Sequence, residues 1–220
     1  MPLPHLTCRI LRAANSSAPA IYLVDSREHP LDLASAASPH LTLVHVFVPS
    51  WTTDLTPWSA PALHPDSPAF GAGASATAQA LIRLIEQQRD LHPSHRGIVG
   101  YSLAGLFALY TLVASDEGPF DAAASLSGSL WYDGWTTYLA DTPWQGAGRY
   151  AYLSVGTKEK RTANPRMRTV ETATQRTAQL LEAKGCQVTY APGPGNHFEH
   201  TTQRLQAGIA ALAAFWEQHT

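Results

Sequence analysis

The residues best suited to chemistry in this 220-residue chain lie around Ser102. An apolar run of strand length ends at Tyr101, and a longer apolar run of helical length begins at Leu103. This layout is typical of a nucleophile elbow, a strained turn between a strand and a helix that exposes a serine hydroxyl. Gly100 and Ala104 occupy the places where the usual pattern has two glycines, and both are small enough for the turn. An ordinary Gly-Tyr-Ser turn is the alternative interpretation of the pentapeptide alone.

A serine hydroxyl becomes an effective nucleophile only when a base accepts its proton and an acid orients that base. Among ten histidines, we predict His197 as the base, because it lies between the last predicted strand and the last predicted helix. Glu159 is the predicted acid, since it is the one carboxylate between Val155 and Arg168, after the penultimate strand. The chain order of serine, acid and histidine is that of the α/β-hydrolases. We expect His200 at the surface, where the last helix begins.

Both assignments have a structural alternative. His197 taken alone would be a surface or core histidine, and Glu159 an exposed glutamate in a charged loop. Three other carboxylates, on the loops before and after the preceding strand, also remain candidates for the acid: Asp121, Asp133 and Asp141.

The tetrahedral intermediate of acyl transfer needs N–H donors for its oxyanion. Leu103 follows the nucleophile and is predicted to supply one backbone N–H. The second should come from the loop after the third strand, from Ser50 or Trp51, and we assign Trp51. Removing such a donor typically costs about 3 kcal/mol of transition-state stabilisation.

Aromatic side chains are concentrated on the loops predicted to surround the serine. They could stack on an aromatic or apolar part of a substrate, or they could simply anchor their loops to the domain. The residues assigned to substrate binding on this ground are Trp51, Trp58, Tyr101 and Trp131.

Strand-like and helix-like segments alternate along the chain and must position these residues. Predicted strands cover residues 8–12, 20–24, 41–48, 97–101, 122–126, 150–155 and 187–191. Predicted helices cover residues 72–91, 103–114, 132–139, 165–184 and 201–218. This alternation predicts an α/β fold, a mostly parallel sheet with helices on both faces. The short link between the first two strands predicts that they form an antiparallel pair. The long irregular segment 49–73 is predicted to be functional, with a role as a lid left open.

Composition narrows the function classes. With 45% hydrophobic residues, the chain can bury one core, and we expect one domain over residues 1–220. A net charge of −2 gives no reason to expect a nucleic-acid partner. Cys8 and Cys186 fall on predicted strands and are expected to be buried thiols, without a disulfide, a metal or another cofactor. No signal peptide or membrane span is predicted, so a cytoplasmic protein is expected, of unknown oligomeric state.

Five sequence blocks occur in an order that resembles one esterase family of the α/β-hydrolases. The blocks cover residues 48–58, 100–108, 125–131, 154–160 and 195–198. The family includes esterase D-like enzymes and enterobactin-type siderophore esterases. The resemblance implies the α/β-hydrolase fold and a serine esterase in which Ser102 and His197 match the nucleophile and the base. Glu159 matches the acid, although the acid varies across that family.

A run of basic residues follows the predicted acid: Lys158, Lys160, Arg161, Arg166 and Arg168. Such a run is often only a solvated face. Together with the resemblance, it suggests that Lys160 and Arg161 bind an anionic ester such as a ferric catecholate siderophore.

The leading hypothesis is therefore a serine hydrolase that cleaves a carboxylic ester of a small molecule through an acyl-enzyme intermediate, without a cofactor. The substrate would be a siderophore-type ester or another aromatic or anionic ester. Two alternatives remain: an acyltransferase with the same triad, and a catalytically silent hydrolase fold that acts as a binding module.

Overall fold

The computed structural model describes residues 2–219, and within that range seven strands form one sheet in the order β1-β3-β2-β4-β5-β6-β7. The strands are β1 (Thr7–Leu11), β2 (Ala20–Asp25), β3 (Thr42–Phe47), β4 (Arg96–Tyr101), β5 (Ala122–Leu126), β6 (Tyr150–Gly156) and β7 (Gln187–Gly193). β1 is antiparallel to β3, whereas every other neighbouring pair is parallel. The predicted α/β class and mostly parallel sheet are confirmed.

Helices cover both faces of this sheet. They are α1 (Trp51–Asp54), α2 (Ala74–Gln87), α3 (Leu103–Val113), α4 (Trp135–Asp141), α5 (Val170–Ala183) and α6 (Thr201–Glu217). Buried side chains of α2 to α5 form one apolar core with the sheet, and α6 forms the other with a 3₁₀ turn at Leu33–Ala36. A second 3₁₀ turn, Met167–Thr169, precedes α5, which begins five residues later than predicted from the sequence.

The two helices nearest the predicted nucleophile and base differ as their sequences indicate. In α3 every residue except Tyr110 is buried, which fits a helix that is apolar on nearly all sides. In α6 the buried side chains include Leu205, Ile209, Leu212 and Trp216 on one stripe, as in a helix that covers a sheet.

The predicted pairing of the first two strands is wrong. β3 lies between them, with Thr7 of β1 opposite Phe47 and Ala20 of β2 opposite Thr42. All six residues of β2 are buried, so this strand occupies an interior position between two parallel neighbours. β1 has a mostly exposed surface, which fits only the edge of the sheet.

The edge position of β1 also corrects the expectation for Cys8, whose side chain is exposed rather than buried. Cys186 is buried as predicted, directly before β7, and burial raises the pKa of its thiol to about 12. Both cysteines are free. The buried thiol therefore stays protonated at neutral pH and acts as a small apolar side chain.

The segment 49–73 is more ordered than its composition suggests, because it begins with α1 and contains an antiparallel bridge between Ala60 and Phe70. Among residues 2–219, no helix is both long enough and apolar enough to cross a bilayer.

Candidate active site

Ser102 lies in a sharp turn between β4 and α3. Its backbone has φ 56° and ψ −121°, a conformation that costs a residue with a side chain about 1–3 kcal/mol. The backbone N–H of Ser102 donates to the carbonyl oxygen of Leu126 on β5 at 3.0 Å. A side chain at Gly100 would collide with the carbonyl group of Ala104, so glycine is required there, whereas the methyl group of Ala104 is accommodated. The predicted strand–turn–helix geometry is therefore present, with Ser102 in a strained conformation at the turn.

The three residues predicted as a triad meet beyond the carboxyl ends of β4, β6 and β7. The hydroxyl of Ser102 donates to Nε2 of His197 across 3.1 Å when Nδ1 carries the ring proton. Nδ1–H then donates to Oε2 of Glu159 at 2.9 Å. His197 lies on the loop between β7 and α6, and Glu159 follows β6, so adjacent strand ends bring together residues that are distant in the chain.

The second oxygen of Glu159 is also held. Oε1 accepts hydrogen bonds from the Ser127 hydroxyl at 2.8 Å and the Gly156 backbone N–H at 2.6 Å. Burial alone would raise the pKa of this carboxyl group. The hydrogen bond and charge of His197, with the donors on Oε1, more than offset burial and lower the pKa below its usual value. Glu159 is therefore a buried carboxylate that is ionised at neutral pH.

Arg204 is a member of the site that sequence analysis missed. It projects from α6, is 7% exposed, and its guanidinium lies 3.6 Å from Oε1 of Glu159. It donates to the hydroxyls of Tyr101 and Ser127 and to two carbonyl oxygens of the loop that carries His197, those of Pro194 and Asn196. The only sequence signal was a single arginine next to the apolar stripe of α6. Arg204 fixes the acid and the base loop together.

Two helices begin beside the cavity at Ser102. Leu103 is the first residue of α3 and Trp51 the first residue of α1, and both line the cavity. A first helical residue has no intrahelical acceptor for its N–H, so both groups can bind an oxyanion. The N–H of Ser50, the alternative donor, is engaged by Asp54 Oδ2 at 2.7 Å.

Ser129 is a second residue that sequence analysis did not assign. Its Oγ lies 3.3 Å from Oγ of Ser102, and its backbone N–H donates to the Ser102 carbonyl at 2.9 Å. The serine-rich block 125–129 was the available signal. Ser129 stabilises the turn and can hydrogen-bond a bound ester.

The four predicted aromatic residues divide into two groups. Trp51 and Trp131 line the cavity of about 360 Å³ that contains Ser102 and His197. Trp58 does not line it: its indole N–H donates to the Asp133 carbonyl at 2.7 Å and its ring packs on Tyr138.

Tyr101 contacts the backbone and the ring of His197. Its hydroxyl donates to the His197 carbonyl at 2.7 Å, and the two rings meet edge to face. It lines a neighbouring cavity rather than that of Ser102. Phe198, missed from the sequence, lines the Ser102 cavity and is 85% exposed. These positions make Tyr101 a support for the His197 loop and leave Phe198 available to a ligand.

The predicted basic contacts lie outside this cavity. Lys160 pairs with Glu171 at 2.6 Å, and Arg161 is exposed and does not line the cavity. The alternative acids are also elsewhere: Asp121 binds His95 and Asp133 binds Arg166. Asp141 is exposed at the end of α4, and His200 is exposed at the start of α6, as expected. Within residues 2–219, no group of three or more His, Cys, Asp or Glu side chains could hold a metal ion.

Comparison with known proteins agrees with this architecture. Residues 14–209 match the model of the family described as "Putative esterase". YbbA, an uncharacterised protein from Bacillus subtilis (strain 168), is 25% identical over 181 residues, which are 76% of this chain and 72% of YbbA.

Two solved structures share the fold at low sequence identity. The siderophore hydrolase EstA from Aspergillus nidulans superposes with a TM-score of 0.70 at 17% identity, over 95% of this chain and 90% of EstA. The enterobactin esterase FES from Shigella flexneri gives a TM-score of 0.67 at 18% identity, over 97% of this chain and 56% of FES. With the family match covering most of its length, the chain belongs to this esterase family and is a carboxylic-ester hydrolase with the α/β-hydrolase fold.

Proposed function

We propose that the chain hydrolyses its ester with Ser102 as nucleophile, through a covalent acyl-enzyme. The observation that carries the proposal is the continuous hydrogen-bonded path from Ser102 Oγ through His197 to Glu159, with distances of 3.1 and 2.9 Å. These distances lie within the range for proton transfer between a nucleophile and its base.

In the first half-reaction, Ser102 Oγ attacks the ester carbonyl carbon and passes its proton to Nε2 of His197. The carbonyl oxygen gains the negative charge and is held by the N–H groups of Leu103 and Trp51. Glu159 keeps the ring tautomer and stabilises the imidazolium. When the tetrahedral intermediate collapses, the bond to the alcohol oxygen breaks and His197 returns the proton to that oxygen.

In the second half-reaction, water replaces the alcohol. His197 accepts a proton from water, the hydroxide attacks the acyl carbon, and Ser102 leaves with the proton that His197 returns. The products are a carboxylic acid and an alcohol. Because EstA is named a siderophore hydrolase and FES an enterobactin esterase, we would include siderophore esters among the first substrates to test.

A fluorophosphonate probe tests the serine mechanism, since it reacts with an activated serine and forms a stable adduct. We expect one adduct per chain, on the peptide that contains Ser102, and none in Ser102→Ala. Labelling of another residue, or ester hydrolysis that persists in Ser102→Ala, would overturn the proposal. Adding an alcohol acceptor to the assay separates transfer from hydrolysis, because transfer yields a new ester instead of the acid.

A further inference from the structure

The cavity at Ser102 has a wall without formal charges. Its volume is about 360 Å³, at the lower end of the range of roughly 300–1,000 Å³ for small-molecule sites. No Asp, Glu, Lys or Arg side chain lines it among the described residues, and its titratable groups are His64 and His197. The wall is mainly apolar and includes Leu63, Pro68, Phe70, Trp131, Met167 and Phe198.

Arg166 contacts two aromatic residues of this wall, and its charge is paired with a carboxylate. The Arg166 guanidinium lies 5.7 Å from the ring centre of Phe70 and 5.5 Å from that of Trp131. It forms an ion pair with Asp133 at 2.7 Å. Arg166 does not line the cavity, so its charge holds two aromatic rings of the wall and is not available to a ligand there.

The same arginine fixes the loop that forms one side of the cavity. Its Nη1 donates to the Pro61 carbonyl at 2.7 Å, and the Asn164 side-chain amide donates to the Leu63 carbonyl at 3.2 Å. These bonds connect the segment before α5 to the 61–70 loop, so the apolar wall is preformed.

We infer that the part of the ester that enters this cavity is uncharged and apolar, with an aromatic ring between Phe198 and Trp131 as the favoured group. This inference rests on the proposed function and narrows its substrate class. A carboxylate placed here would lose its water without gaining a cationic partner, which is strongly unfavourable. An apolar group instead covers Phe198, whose ring is left to solvent in the free protein.

A second cavity, of about 680 Å³, adjoins the first, and its lining includes Arg27, His5 and His29 together with the carboxylates of Asp25 and Glu28. Trp51 lines both cavities and stands between them. In this second cavity an anionic group could pair with Arg27. Binding there is the competing outcome of the test.

Two matched pairs of esters test the inference by kcat/KM, each rate normalised to that ester's hydroxide hydrolysis. One pair compares para-nitrophenyl benzoate with the derivative that carries a para-carboxylate on the benzoyl group. The other pair compares two benzoate esters that differ by a carboxylate on the alcohol group. We expect the neutral ester to be favoured about 100-fold in at least one pair, as expected for an unpaired carboxylate in an apolar site. Equal turnover within both pairs, or a preference for the anionic esters that Arg27→Gln removes, would overturn the inference.

A charge added to the wall sharpens the test. Ser67 lines the cavity yet is exposed, so Ser67→Arg should fold normally and reduce the discrimination about tenfold by pairing with the carboxylate. Ser94→Arg, exposed before β4 and absent from the cavity lining, is the matched control and should leave the ratio unchanged. An unchanged ratio in Ser67→Arg contradicts the inference. Phosphonate labelling of Ser102 in each variant keeps this result separate from a failure of the serine mechanism.

Discussion

The two sides of the site are built in opposite ways. On the acid side, Glu159 and Arg204 are nearly buried and make hydrogen bonds to several different segments of the chain. On the cavity side, Phe198 is largely exposed, and the Trp131 ring packs against Phe70, Tyr132 and Arg166. A saturated polar network holds one geometry, whereas an apolar surface accepts any group of suitable size and polarity. We therefore expect the acid side to set the rate of the chemical step and the cavity side to set the choice of ester.

The largest effect is expected where the two sides meet. Ser102→Ala should lower kcat by about 10⁴-fold or more, because the nucleophile is lost, while the urea midpoint changes little. Stopped assays of ester hydrolysis and urea denaturation measure the two quantities. A residual kcat near that of the parent would show that neither side of the comparison has been assigned correctly.

Glu159→Gln tests the acid side by removing a charge and keeping the shape. We expect kcat to fall by roughly 10²–10³-fold, since the amide favours the wrong tautomer of His197. The carboxyl pKa is lowered by folding, so its contribution to stability is complete above the usual carboxyl pKa and is lost as pH falls through the lowered value. The stability difference between parent and variant should thus shrink as the pH falls below the usual carboxyl pKa of 4.5 and through the lowered value, as measured in urea titrations. A difference that grows on acidification would contradict the assignment.

Arg204→Met tests whether Arg204 contributes mainly to stability or to the rate of the chemical step. Without the guanidinium, the buried charge of Glu159 loses a cationic neighbour and two loop carbonyl oxygens lose their hydrogen-bond donor. We therefore expect the free energy of unfolding to fall by about 3 kcal/mol. Because Glu159 keeps its hydrogen bonds to Ser127 and Gly156, kcat should fall only about tenfold. Arg176→Met, which removes an exposed arginine on α5, is the control and should change neither quantity.

Phe198→Ala tests the cavity side and should have the smallest effect. We expect KM for an aromatic ester to rise about fivefold with kcat nearly unchanged, because the ring contributes stacking but not chemistry. The melting temperature should stay the same, since the side chain is 85% exposed. Lys160→Ala is a useful comparison: its ion pair lies outside the cavity, so KM should not move. A larger fall in kcat for Phe198→Ala than for Arg204→Met would contradict the assignment of the chemical step to the acid side.

Features with local causes were predictable from the sequence. The elbow at Ser102 follows from one strand, one turn and one helix that are contiguous in the chain. The positions of His197 and Glu159 followed from their places after successive strands, because neighbouring parallel strands present their carboxyl ends at one edge.

Features that depend on distant partners were not predictable. Trp58 is turned away from the cavity by the carbonyl of Asp133, 75 positions later in the chain. Arg204 joins hydroxyls and carbonyls from three separate segments, a combination that no local pattern contains. The exposure of Cys8 depends on the sheet position of β1, which local composition did not fix.

The attachment of the His197 loop to α6 has a consequence for folding during synthesis. Ser102 leaves the ribosome well before His197, and the loop of His197 is tied down only after Arg204 has emerged and docked. A nascent chain that already displays its elbow would therefore be inert. Ester cleavage would reach its full rate only after α6 has packed against the sheet, so activity reports on this late step of folding.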